Sequence, residues 1–294
     1  MLLLEWMLVL GAASSISPVS ICKADTYTQL LKAEATTLNA SARDRIEALS
    51  HIYVAGRRAS RAVGCRNKDR VIEDQFKAAA LFANYVPDAE PLRNALAQYG
   101  LLVERGTAGA EHQRRLIGLH VARGDFAQAE RLRRQWLSNV PAFPRVFPGR
   151  FPPGLPVYAV QADGSLVRDS IRLSGDQVVA IVHPRCGHSR RALQNIVAQP
   201  AYQGLRAKLV LVVPNGPHWA GDSIAEWNGL HPELPMSVMY MDKRWAAFDR
   251  QQTPVFHLVR EGRIIETGTG WRGAGRKFLQ SCALCALPLT DGCI

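Results

Sequence analysis

The chain predicts an all-helical first half and an α/β second half, joined by a proline-rich stretch. Three observations carry this. Apolar residues recur at three- and four-residue spacing from about residue 25 to 138. Six prolines fall within "VPAFPRVFPGRFPPGLP", residues 140–156. Beyond them, short apolar runs alternate with amphipathic segments, as in a sheet with helices packed against it. At 294 residues the chain is long enough for two domains of ordinary size, and 47% apolar with 21% charged residues is the composition of a folded globular protein. The predicted division is a leader over 1–24, a helical domain over 25–139, a linker over 140–156 and an α/β domain over 157–294.

The opening "MLLLEWMLVLGAASSISPVSICKADT" has a short apolar run followed by small residues, the outline of a secretory signal peptide. It departs from the pattern in having Glu5 inside the run and no Lys or Arg before it. Cys22 and Ala24 place small residues at the minus-three and minus-one positions of a cut after Ala24. Val19-Ser20-Ile21 does not resemble a lipoprotein box, so no lipid anchor is expected. The run is too short for a spanning helix of about 20 residues, and no later stretch is long and apolar enough. The expectation is a periplasmic or otherwise exported protein with no stable membrane span after leader removal; a retained N-terminal anchor is the alternative. Loss of Cys22 leaves Cys65, Cys186, Cys282, Cys285 and Cys293, an odd number that suits one free thiol and up to two disulfides in an oxidising compartment.

The formal net charge is +11, with many arginines in the first half, among them Arg43, Arg45, Arg57, Arg58, Arg61, Arg66 and Arg70. A basic face can attract an acidic protein partner, though solvated helix faces explain it as well. No zinc-finger or aromatic sheet signature for nucleic acid is present, and no nucleic-acid partner is expected.

In the helical half, Ile46, Leu49, Ile52 and Tyr53 share one helix face, as do Ile72, Phe76, Ala79 and Phe82 in the next segment. Pro91 falls near the first turn of a further helix, where a missing N–H costs little. "HQRRLIGLHVARGDFAQAERLRRQWL" reads as a helical hairpin turning at Gly124-Asp125. That hairpin resembles one unit of a tetratricopeptide-type repeat, over about 30 residues and without a visible second copy. Proline disfavours helix at itself and at the residue before it, so 140–156 is read as extended.

In the second half, "VYAVQADGSLVRDSIRL" is a hairpin turning at Asp163-Gly164. "QVVAIVH" and "AKLVLVVPN" read as buried strands, with "SRRALQNIVAQ" a helix between them. "DSIAEWNGLH" reads as a helix, "MSVMYMD" as a strand, "TPVFHLVREGRIIETGTGW" as a hairpin turning at Glu261-Gly262, and "GAGRKFLQSCALC" as a last helix.

Cys186-Gly187-His188-Ser189 follows an apolar strand and opens a helix, Thr253-Pro254 precedes another apolar strand, and "REGRIIETGTGW" reads as a closing hairpin with its glycine region. In order and spacing these features, across about 155–285, resemble the thioredoxin-like superfamily in a monothiol C-x-x-S form. The resemblance implies a thioredoxin-like fold, a nucleophilic Cys186, and a cis-proline at Pro254 that frees Thr253 to dock a bound peptide. Ser189 stands where the dithiol members carry a second cysteine.

The chemistry follows from the residues as well. Thiolate is the reactive form of cysteine, and a helix N-terminus offers unpaired N–H groups and the positive end of the dipole. Arg185 and His188 are candidate cationic neighbours. Attack on a disulfide leaves a mixed disulfide whose release needs another thiol, which Ser189 cannot supply. An external thiol or the substrate's second cysteine can do so, Cys282 or Cys285 can if the last helix passes close, or no turnover occurs. Cys65, Cys282, Cys285 and Cys293 are read as structural disulfide candidates, with one bridge from the tail to Cys65 among the options. His183, Cys186 and His188 form an H-x-x-C-x-H cluster that suggests a soft metal, but close chance spacing explains it better, and no metal or cofactor is expected. The peroxide-reducing branch of the family usually has threonine or serine where this chain has His183. The leading expectation is thiol–disulfide exchange on exported cysteine-containing proteins or with a redox partner; the alternative is a non-catalytic adaptor in an envelope assembly.

Overall fold

The computed structural model describes residues 22, 24–61, 65, 68–216 and 219–271. The helical half contains α1 (Thr26–Thr36), α2 (Ala42–Ser60), α3 (Asp69–Ala83), α4 (Ala89–Glu104), α5 (Ala110–Ala122) and α6 (Phe126–Trp136). Side-chain caps set several starts: Ser41 accepts from Asp44 N–H at 3.2 Å, Asp88 from Glu90 N–H at 2.9 Å and Asp125 from Gln128 N–H at 3.3 Å. The three-and-four spacing is realised as a core. Leu49 and Tyr53 of α2 are buried against Ile72, Phe76, Ala79 and Phe82 of α3, and Tyr53 stacks on Phe82 at 4.7 Å.

Cys22 and Cys65 are joined in a disulfide. This corrects the expectation of a bridge from the tail to Cys65. It also bears on the leader: a cut after Ala24 would remove Cys22 and leave Cys65 without this partner. Cys282, Cys285, Cys293 and the last expected helix lie outside the described residues.

The second half forms a seven-stranded sheet in the order β2-β1-β5-β4-β3-β6-β7. Its strands are β1 (Leu155–Val160), β2 (Leu166–Ile171), β3 (Asp176–Ile181), β4 (Leu209–Val213), β5 (Met236–Met239), β6 (Val255–Arg260) and β7 (Arg263–Thr269). β3, β4 and β5 are parallel neighbours, while β1, β2, β6 and β7 pair antiparallel. Their crossovers are α7 (Gly187–Ala198) with the short α8 (Gln203–Arg206), then α9 (Gly221–Leu230). Side chains alternate across β3: Val178 and Ala180 face one core, Val179 and Ile181 the other. Both faces are covered, which is why this strand reads as a continuous apolar run.

Helix α5 belongs to both halves. Leu116 and Leu119 point into the helical core, whereas Ile117 and Val121, with Phe126, Ala129 and Leu132 of α6, pack against the sheet. The second half of α5, from Leu116 to Ala122, is buried on all sides, as a helical segment between two cores must be. Gly124, at φ 77°, makes the turn to α6, and a Cβ there would lie 2.9 Å from the Tyr240 ring. Its carbonyl accepts the Tyr158 hydroxyl at 2.9 Å.

The proline-rich segment is extended and lies against the sheet. Phe147 N–H bonds Leu166 O at 2.8 Å, and Leu166 N–H bonds Arg145 O at 2.8 Å. Phe143, Val146 and Phe151 pack onto the core shared with α6, so the segment shields the edge strand β2. Strand β1 begins at Leu155, inside the stretch read as linker.

Candidate functional site

β3 ends at Ile181, and the chain turns through His183-Pro184-Arg185 into Cys186, the N-cap of α7. Cys186 N–H closes this turn on His183 O at 2.9 Å, and its own carbonyl receives the Arg190 N–H at 2.9 Å, the first bond of the helix. The thiol therefore sits at the carboxyl end of a central strand and the head of a helix, where backbone N–H groups point outward.

β6 runs antiparallel to β3, with Val255 opposite Ile181. This register brings Thr253-Pro254, just ahead of β6, beside the loop that carries Cys186. The Thr253–Pro254 peptide bond is cis. The Cys186 thiol donates to Thr253 O at 3.4 Å across 67 positions of sequence. Gly270 N–H bonds Pro254 O at 2.8 Å, tying the end of the closing hairpin to the same loop.

Cys186 is half-buried. Burial raises its pKa, but hydrogen bonding from the Thr253 side chain, the Ser189 hydroxyl and the amides of Ser189 and His188 outweighs it, so the thiol lies below its ordinary value. Ser189 is fully buried, and its Oγ accepts the His183 N–H at 3.2 Å. A hydroxyl has one proton to give and two lone pairs to offer, so Ser189 can hold the β3–α7 turn and donate to a thiolate together.

The other expected residues act differently from the sequence reading. His188 is exposed, its Nδ1 lies 3.2 Å from the Arg191 guanidinium, and its backbone amide is what favours the thiolate. Arg185 is exposed, and its N–H bonds His183 Nδ1 at 3.2 Å. The His183 pKa is lowered by burial and by the Arg185 charge. Its Nδ1 lone pair is thus engaged by backbone. Among the described residues, no group of three or more His, Cys, Asp and Glu gathers to hold a metal ion.

Sequence reading missed the segment ahead of Thr253. Asp249, Arg250, Gln251 and Gln252 each hydrogen-bond to the helical half. The polar run "DRQQ" next to Thr-Pro is its only local signal. It also missed His257, which is fully buried on β6 with Nδ1 at 2.9 Å from Thr267 Oγ1.

The strand order, the cysteine capping the helix after a central parallel strand and the facing cis-proline loop define a thioredoxin-like α/β domain preceded by a helical domain. The chain is similar to a thioredoxin-like protein from Bacteroides caccae of known crystal structure, at 11% identity and a TM-score of 0.29, over 85% of this chain and 86% of that one. No family model and no curated protein sequence matches the chain.

Proposed function

We propose that this chain performs thiol–disulfide exchange through Cys186 as its single nucleophile. The observation that carries the reading is the half-buried Cys186 thiol at the head of α7, facing Thr253 O. Its lowered pKa supports the same reading, since more of the thiol is present as thiolate near neutral pH.

In this scheme the thiolate attacks one sulfur of a substrate disulfide. A mixed disulfide forms, and the substrate's other sulfur leaves as a thiolate. Either that thiolate attacks another disulfide of the substrate, and the thiolate this expels attacks the substrate sulfur bound to Cys186, which frees Cys186 and isomerises the substrate without net electron transfer, or an external small thiol attacks the Cys186 sulfur, which releases the reduced substrate and leaves Cys186 bonded to the small thiol. In the second case a further thiol attacks the small thiol's sulfur, the Cys186 thiolate leaves, and two external thiols end as one disulfide. The buried hydroxyl of Ser189 cannot displace the substrate, and its hydrogen bond favours the departing Cys186 thiolate. Thr253 offers backbone groups to a substrate strand. The substrates proposed are exported cysteine-containing proteins; the apolar N-terminal stretch and the Cys22–Cys65 disulfide support an oxidising compartment.

The test is to incubate the purified protein with a synthetic peptide carrying one intramolecular disulfide, quench with acid and map adducts by mass spectrometry. An adduct on Cys186, released by added thiol and absent in Cys186→Ser, is expected. A Cys186 that forms no adduct and titrates like a free thiol would overturn the proposal in favour of a non-catalytic adaptor.

A further inference from the structure

Thr253 has β6 immediately after it, but before it the chain from Asp249 to Gln252 is irregular. Its supports come from the helical half. Arg45 of α2 is only 2% exposed and sends its guanidinium to Asp249 Oδ1 at 3.3 Å. The same group bonds Thr37 O at 3.1 Å, Leu38 O at 3.0 Å and Ala40 O at 3.2 Å, which locks it into the α1–α2 turn. Asp249 Oδ1 also receives the Gln251 N–H at 3.0 Å, so one carboxylate both meets Arg45 and shapes the turn. Gln252 donates to Leu38 O, while Arg250 and Gln251 both donate to Asn84 O at 3.2 Å.

Every residue of the four ahead of Thr253 is thus held by the α1–α2 turn or the end of α3. The sheet alone leaves this segment without a ladder partner. A guanidinium in a buried, multiply hydrogen-bonded seat is rigid, and its planar fork fixes direction as well as charge. The carbonyl that meets the Cys186 thiol lies four residues beyond that anchor.

We propose that the helical half is a working part of the thiol site: through Arg45 on Asp249 and through its hold on Gln251 and Gln252 it clamps the loop that sets Thr253 against Cys186. Arg45 is a positioning residue, since it acts on the thiol through Asp249 and Thr253. The proposal deepens the exchange reading and rests on it. It also gives a reason for the helical half to be packed against the sheet rather than tethered by a free linker.

The test measures the pH dependence of Cys186 alkylation in the full chain with its disulfide intact. Three variants are compared with wild type: Arg45→Ala, Gln251→Ala with Gln252→Ala, and Tyr158→Phe. The last removes a tie between the same halves, at Gly124, that does not involve residues 249–253. With the clamp released, Thr253 leaves the sulfur and takes with it both the carbonyl that accepts from the thiol and the side chain that favours the thiolate, so the titration midpoint shifts and the alkylation rate near pH 7 changes by roughly threefold or more. Tyr158→Phe is expected to match wild type. Should Arg45→Ala fail to fold, the double glutamine variant decides, since it leaves no buried charge unpaired. Titration curves for the clamp variants that coincide with wild type would overturn the proposal. Its outcome is separable from that of the exchange reading, which stands on adduct formation by the wild-type protein, while the clamp stands on the difference between variant and wild type.

Discussion

His257 is enclosed on β6, with Thr267 Oγ1 at 2.9 Å from Nδ1 and the Phe248 ring edge-on at 5.1 Å. Burial pushes its imidazole from the ordinary 6.5 down to about 4, against a smaller upward pull from Asp249. Because the folded value lies below the unfolded one, the unfolded chain takes up the proton first as pH falls. The stability contributed by the neutral ring is complete above about pH 6.5 and is lost as pH falls from there through about 4. A gap of about 2.5 units at ~1.36 kcal/mol each amounts to about 3 kcal/mol. The assay is urea unfolding of wild type and His257→Asn across this range. Asparagine keeps a polar atom near Thr267 but takes up no proton. Carboxylates such as Glu130, held at about 2 chiefly by Arg133, titrate in both proteins and cancel in the comparison. The stability advantage of wild type over the variant is expected to shrink by about 3 kcal/mol between neutral pH and pH 4. An advantage that stays constant across the range would refute the assignment of a buried neutral imidazole.

Replacing Ser189 by Ala leaves the His183 N–H without its acceptor and removes a donor to the thiolate. A loss of about 1–3 kcal/mol in urea unfolding and slower alkylation of Cys186 near pH 7 are expected. The Cys22–Cys65 bridge closes a loop of 43 positions, for which chain entropy gives up to about 4 kcal/mol. Unfolding of the Cys22→Ala, Cys65→Ala double variant should show a loss of that order, and added reductant should then have no further effect on its midpoint. Gly124→Ala places a Cβ in the left-handed region and into the Tyr240 ring. A loss of about 1–3 kcal/mol is expected from the backbone alone, read as a lower thermal midpoint.

The helices and strands were legible because each shows its burial as a period. Ile72, Phe76 and Ala79 recur on one helix face, and Val178 to Ile181 form an unbroken apolar run because both faces of β3 are covered. Cys186 and Thr253-Pro254 were legible as a pair because the motif, the strand lengths and the hairpin that follows all lie in the expected order. His188 and Arg185 were named on charge, yet α7 turns the His188 amide, not its ring, toward the thiol. Which face a side chain takes at the head of a helix depends on neighbours such as Arg191 that compete for it. The proline-rich stretch was legible as extended, but its seat against β2 depends on an edge strand that only pairing creates.

By itself the sequence determined the class of each half, the single cysteine at a helix start and the absence of a second thiol at position 189. These are local properties, written in periodicity and in residue type over a few turns. Tertiary structure decided the partner of Cys65, the sharing of α5 between two cores and the grip of Arg45 on Asp249, 204 positions away. An arginine destined for a buried ion pair looks like its solvated neighbours in sequence, because its role depends on a carboxylate that only the folded chain brings within reach.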